Sequence, residues 1–274
     1  RPSGAKDDPT DAEFGLDLLL HHPDRLQPLQ PQSVVMRSLM LLVEQRRNLV
    51  NDRVRITNSL RYALKQYYPQ PLEWFDRSIG SVMFCNFIAR WPTLKQVKRA
   101  RKNTLITFFS DHRMHRSQIL ETRLTAIKAA QPLTLDEAVI NPYSLQALVL
   151  VDRLRVILQG IEKFEKEIAE VAKQHEDFVL FESLPGAGPA YASRLLVAFG
   201  EQRDRYASAA ELQKYAGIAP VIERSGKKNW VHWRYQCPKF LRQTFVEWAA
   251  QTINKSYWPA SIIANNERKA ASTR

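Results

Sequence analysis

The strongest constraint on the fold is a pair of long helical seams. From Ser33 to about Tyr68 the chain has neither glycine nor proline, and Val35, Leu39, Leu42, Leu49, Ile56, Leu60 and Ala63 recur at alternating steps of four and three. A second run from about Ser144 to Gln174 repeats the pattern with Ala147, Leu150, Leu154, Ile157, Ile161, Phe164, Ile168 and Val171. That spacing keeps one apolar stripe on one face of a helix and predicts two long helices with coiled-coil packing. They pair either as an antiparallel arm within one chain or between two copies of it. In the first seam Arg46 and Arg53 occupy two slots where apolar knobs belong. Either they pair with acids beside the second seam, such as Glu162, Glu165 and Glu167, or they face a groove.

Around these seams the chain divides into three expected parts. Residues 11 to 22 read as a short helix, capped by Thr10 or Asp11 and stopped by Pro23, before a Gln- and Pro-rich connector from Leu26 to Gln32. Between the seams, Gly80, Pro92, Pro132 and Pro142 separate shorter helices. From Asp177 glycines become frequent and aromatic residues alternate with basic ones, which marks a boundary. The parts are 1–28, 29–176 and 177–274, and the fold class is mainly α.

Charge narrows the function. Lys and Arg number 40 against 28 Asp and Glu, a formal charge of +12, which suits a polyanion. No run of eighteen apolar residues exists, and Asp152 and Arg153 end the strongest stretch, so a membrane span is excluded and nucleic acid is the leading partner. Cys85 and Cys237 stand far apart without a C-x-x-C or His-rich companion, which argues against a disulfide framework or a zinc site and fits a reducing, intracellular setting.

Five segments could carry chemistry. Lys95, Lys98, Arg99, Arg101 and Lys102 crowd five like charges into eight residues, an arrangement that gains from a phosphate partner. Leu184-Pro185-Gly186-Ala187-Gly188-Pro189 precedes a helix ending at Gly200 and has the form of a helix-hairpin-helix. There Gly186 and Gly188 would let backbone N–H groups approach a DNA phosphate without reading its sequence. Ser225 sits in a glycine turn flanked by Arg224, Lys227 and Lys228, groups able to polarise a phosphate, although no His or Asp at a recognisable spacing offers a base. Beyond it, Trp230, Trp233, Arg234, Tyr235, Lys239 and Arg242 form an aromatic and basic cluster leading into a helix from Phe240 to Ile253. Arg234, Lys239 and Arg242 could hold phosphates, and the tryptophans could stack on unpaired bases. At least two of Trp230, Trp233 and Trp248 are expected to pack in the core. Near the N-terminus, Asp8 and Asp11 are spaced to share one helix face, as caps or as metal ligands.

In order along the chain, Lys6-x-Asp8-x-x-Asp11-Ala12, Leu184-Pro185-Gly186-x-Gly188-Pro189, Tyr215-Ala216-Gly217-x-x-Pro220, Ser225-Gly226 and Phe240-Leu241-Arg242 resemble the DEDD-type insertion-sequence transposases. These are recombinases guided by a bridge RNA. The resemblance implies a RuvC-like α/β domain, of which residues 1–28 would be the last part, with a four-acid Mg²⁺ site to which Asp8 and Asp11 contribute. It also implies a C-terminal transposase domain in which Ser225 is the nucleophile. The partners expected are DNA, a guide RNA and a second copy of the chain through the coiled-coil helices, in a bacterial cytoplasm. The first Asp and the Glu of that set lie upstream of Arg1, and Cys237-Pro238 stands where Gly-Asn is usual. A metal site incomplete in this chain, and a chain that is part of a longer gene, are therefore expected.

Overall fold

The computed structural model describes residues 8–26, 30–114, 117–226, 228–253, 255–257 and 261. Two compact units divide it, Arg1–Val34 and Val35–Arg274. In the first, α1 (Asp8–His21) ends before a 3₁₀ turn at Pro23–Arg25. Its helix starts three residues earlier than expected, with Asp8 and Asp11 both in the first turn, where carboxylates complement the helix dipole.

The second unit is built on α2 (Val34–Tyr67) and α8 (Glu137–Ala172). They run antiparallel within the one chain: Arg46 bonds Glu165 at 2.5 Å, and a Cβ placed on Gly160 would lie 3.3 Å from Leu49 Cδ1. The seams are thus consumed internally, and no pairing between copies is needed to bury them. α8 begins seven residues before the expected Ser144 and continues through Pro142, which therefore does not interrupt it. Pro142 lies only in the second turn, where the lost bond concerns the Ala138 carbonyl, and Asp136 caps the start by accepting from Ala138 N at 2.9 Å.

Between them lie α3 (Gln70–Phe75), α4 (Val82–Arg90), α5 (Leu94–Arg99), α6 (Lys102–Asp111) and α7 (Ser117–Ala129). Breaks fall at Gly80, Pro92 and Pro132 as expected. These helices close an aromatic core over the Tyr67 end of α2. Phe87 is fully buried, and its ring centroid lies 4.9 Å from that of Phe75 and 5.2 Å from that of Trp91.

After α8 come α9 (Phe178–Glu182), α10 (Gly188–Phe199), α11 (Ala209–Tyr215), the strands β1 (Val221–Ser225) and β2 (Lys228–His232), and α12 (Lys239–Thr252). This segment shares a second core with the opposite end of the arm, where Met36, Leu39 and Val43 of α2 and Ile168 and Ala172 of α8 meet Leu195, Leu196 and Phe245. The arm therefore has a core at each end and a waist between them, where Leu49, Val50, Ile157 and Leu158 are only half-buried. Among the described residues no helix is long and apolar enough to cross a membrane.

Candidate nucleic-acid interface

β1 and β2 form an antiparallel hairpin whose register pairs Ser225 with Lys228, Glu223 with Trp230 and Val221 with His232. β-Branched and aromatic residues favour the strands, and Gly226, at φ +56°, supplies the left-handed turn. Lys227 lies outside the described residues. Directly paired residues share a face, so Lys228 is the cation beside Ser225, whereas Arg224 alternates to the opposite face. Ser225, Arg224 and Lys228 are all exposed. Among the described residues the Ser225 hydroxyl touches no base. His232 is four strand residues away along the ladder, about 14 Å at 3.4 Å per residue.

His232 has a different role. Its Nε2 lies 2.9 Å from Glu223 Oε1 and its Nδ1 2.8 Å from the Trp233 carbonyl, two acceptors that a protonated ring satisfies together. The bond to Glu223, reinforced by the one to Trp233, raises its pKa above the ordinary 6.5. The ring is tilted against Trp230 at 4.4 Å and stacked on Tyr235 at 5.4 Å. Trp230, Trp233 and Tyr235 are 58%, 62% and 72% exposed. This overturns the expectation that two of three tryptophans are core, because a two-stranded sheet has no second layer to cover them. Only Trp248 turns inward, donating from Nε1 to the Pro185 carbonyl at 3.0 Å.

That bond holds the Leu184–Pro189 turn against α12. Gly186, at φ +72°, presses on it: a Cβ there would lie 3.0 Å from the backbone of Gln251. Its close approach is thus to the protein's own helix, while Gly188, at φ +53°, faces open space. α9 before the turn has only five residues and packs on α10 through Phe181 and Phe199, 5.4 Å apart.

The remaining cations divide by burial. Lys239 is exposed, Arg242 donates from Nη1 to the Arg234 carbonyl at 3.0 Å, and Arg234 is half-buried with its Nε enclosed and unpartnered. Arg242 therefore ties the hairpin exit to α12. In the basic run, Leu94 and Val97 anchor α5 while Lys95, Lys98, Arg99, Arg101 and Lys102 are exposed. Lys98 Nζ also closes the end of α7 by donating to the Ala130 carbonyl at 2.7 Å. Arg46 has the acid partner that the second seam offered, whereas Arg53 has none among the described residues and lines a groove.

Asp8 and Asp11 are exposed on α1. They could supply two of the six oxygens around Mg²⁺, an ion that one or two carboxylates commonly hold together with water and phosphate oxygens; no group of three or more His, Cys, Asp or Glu suited to a metal occurs among the described residues.

Two segments of the chain match models of known protein families. Residues 179–263 match the model of the "Transposase IS116/IS110/IS902 family", and residues 1–69 match a DEDD transposase model of the IS110 type. The IS117 mini-circle protein of Streptomyces coelicolor is 26% identical over 258 residues, covering 93% of this chain and 62% of that protein. A 44.8 kDa IS116 insertion-element protein of Streptomyces clavuligerus is 28% identical over 208 residues, covering 74% and 50%. The chain spans half to three-fifths of the length of these relatives.

Proposed function

We propose, from the match of residues 179–263 and 1–69 to transposase models of the IS110/IS116/IS902 type, that the chain handles DNA during strand exchange of an insertion sequence and that Ser225 is the nucleophile. The observation that carries this reading is the exposed hydroxyl at the tip of a basic, aromatic hairpin, with Lys228 directly across the ladder. In the step proposed, Ser225 Oγ forms a bond to a DNA phosphorus while the bond to one sugar oxygen breaks. The hydroxyl proton passes to solvent, and the departing sugar oxygen takes one up. Lys228 stabilises the charge that develops on the phosphoryl oxygens, with Arg224 holding a neighbouring phosphate. Trp230, Tyr235 and Trp233 offer π-faces to bases unpaired during exchange. A guide RNA, a second copy of the chain and Mg²⁺ with Asp8 and Asp11 among its ligands belong to the same proposal.

The test is covalent trapping. DNA incubated with the longer protein carrying these residues should give a phosphoserine adduct that Ser225→Ala abolishes and Lys228→Gln slows. Adducts that persist in Ser225→Ala place the nucleophile elsewhere. A second reading is favoured by one observation, the lack of a base touching Ser225 among the described residues: the chain binds nucleic acid without cutting it. Tight binding with no adduct and no cleavage in Mg²⁺ would establish that reading instead.

A further inference from the structure

The waist of the arm carries a second basic surface, distinct from the hairpin. On one side of α2, a concavity of about 470 Å³ opens where α2 and α8 meet α10 and α12, lined by Arg46, Arg47, Arg53 and Arg194. A neighbouring concavity of about 360 Å³ is bounded by Arg53, Arg61 and the Ser78–Ser81 turn. Arg53 lines both, so the two follow one another along the same face of α2. The turn closes its far wall tightly: a Cβ on Gly80 would lie 2.7 Å from Thr57 Oγ1.

The charges in this groove are only partly compensated. Glu165 pairs with Arg46, and Glu247 pairs with Arg194 at 2.6 Å and also accepts from Gln243 at 2.7 Å. Arg47, Arg53 and Arg61 have no acid partner among the described residues. Arg47 lies over the Phe240 ring at 5.7 Å, and its Nε is enclosed without an acceptor. Arg47 and Arg53 are half-buried and Arg61 is exposed, and guanidiniums without acid partners match the planar, bidentate recognition of phosphate. Their placement is also specific. Arg46 and Arg53 replace apolar knobs at the waist, where Leu49, Val50, Ile157 and Leu158 leave the seam half-open.

We propose that this groove holds the phosphodiester backbone of a nucleic-acid strand. From Arg46 to Arg61 the helix rises about 22 Å at 1.5 Å per residue. At 3.4 Å of duplex axis per phosphate of one strand, that length corresponds to about six base-pair steps. The proposal rests on the reading that the partner is nucleic acid and adds a binding locus remote in sequence from Ser225. Arg47, Arg53 and Arg61 supply the unpaired charge, and the Arg46–Glu165 pair keeps the two helices together beneath it.

Binding of fluorescent DNA and RNA oligonucleotides to the 274-residue chain over a salt series tests this. The triple variant Arg47→Gln/Arg53→Gln/Arg61→Gln should bind at least about tenfold more weakly in 0.1 M salt. Its log K against log salt slope should fall by about 0.9 on duplex DNA, or about 0.7 on a single strand, for each phosphate no longer neutralised. Arg55→Gln, on the same helix but paired with Asp52 outside the groove, should leave the slope unchanged. If the triple variant fails to fold, phenylglyoxal labelling of the wild-type chain decides, since bound oligonucleotide should protect Arg53 and Arg61 and leave Arg55 reactive. Wild-type binding with an unchanged slope or without protection overturns the groove alone, whereas no wild-type binding to either nucleic acid overturns the reading beneath it as well. Duplex, single-stranded DNA and RNA arms identify which strand occupies it.

Discussion

Replacing Gly217 by alanine should destabilise the protein by about 2–5 kcal/mol, a sum of two separable parts. Gly217 has φ +73°, and the left-handed conformation costs an alanine about 1–2 kcal/mol. The added Cβ would also stand 2.4 Å from Cys237 Sγ and 2.6 Å from Cys237 Cβ, an overlap of the kind that costs about 1–3 kcal/mol. Cys237 sits between the hairpin and α12, so both residues must shift or the hairpin exit must move. Urea unfolding of Gly217→Ala, Cys237→Gly and the double variant separates the parts. Removing the Cys237 side chain relieves the overlap and leaves the backbone strain, so the double variant should recover about 1–3 kcal/mol relative to the sum of the single ones. Additivity within about 0.5 kcal/mol would refute the overlap and leave only backbone strain to explain the single variant.

Four further outcomes are expected. His232 should titrate above 6.5 by NMR, and Glu223→Gln should lower its midpoint; because the folded value is the raised one, the stability it contributes is complete below 6.5 and lost as pH rises through the folded midpoint. Trp230→Ala and Tyr235→Ala should each weaken single-strand binding by about 1–3 kcal/mol while changing urea stability by under about 0.5 kcal/mol, since both rings are exposed. Phe87→Ala, which empties the centre of the aromatic core, should cost about 3–5 kcal/mol in the same unfolding assay. Burial pushes the Cys85 thiol up to about 11, so iodoacetamide at pH 8 should label it only after unfolding, as mass spectrometry of the Cys85 peptide would show.

The parts of this molecule that are legible from sequence are those set by local period. Seam residues Leu39, Ile56, Leu60, Ala147, Leu154 and Ile161 are buried because steps of three and four keep them on one face, and Glu165 comes within reach of Arg46 for the same reason. Pro142 misleads because proline is disruptive in a helix interior but tolerable within two turns of its start. The hairpin is absent from the expected elements although its signal is present: Val221 to Ser225 and Lys228 to His232 flank a two-residue Gly226-Lys227 loop, a pattern that signals paired strands. With the hairpin recognised, the exposure of Trp230 and Trp233 follows, since a sheet of two strands leaves its faces open. Arg47 and Arg61 cannot be singled out from sequence, because their lack of acid partners depends on which helices cover the waist. Gly186 stands out as a special backbone position, but its neighbour, the end of α12, is 65 residues away in the chain.

The two-core arm also has a mechanical consequence. α2 rises about 51 Å over its 34 residues, and a helix resists stretching far more than it resists tilting. A rotation of about 5° about the contact of Gly160 with Leu49 would swing the Tyr67 end of α2, about 27 Å away, by about 2 Å. Whatever the hairpin grips is thereby geared to whatever the α3–α7 cap touches, and the pair of helices acts as a beam that turns small angular changes at one end into displacements at the other.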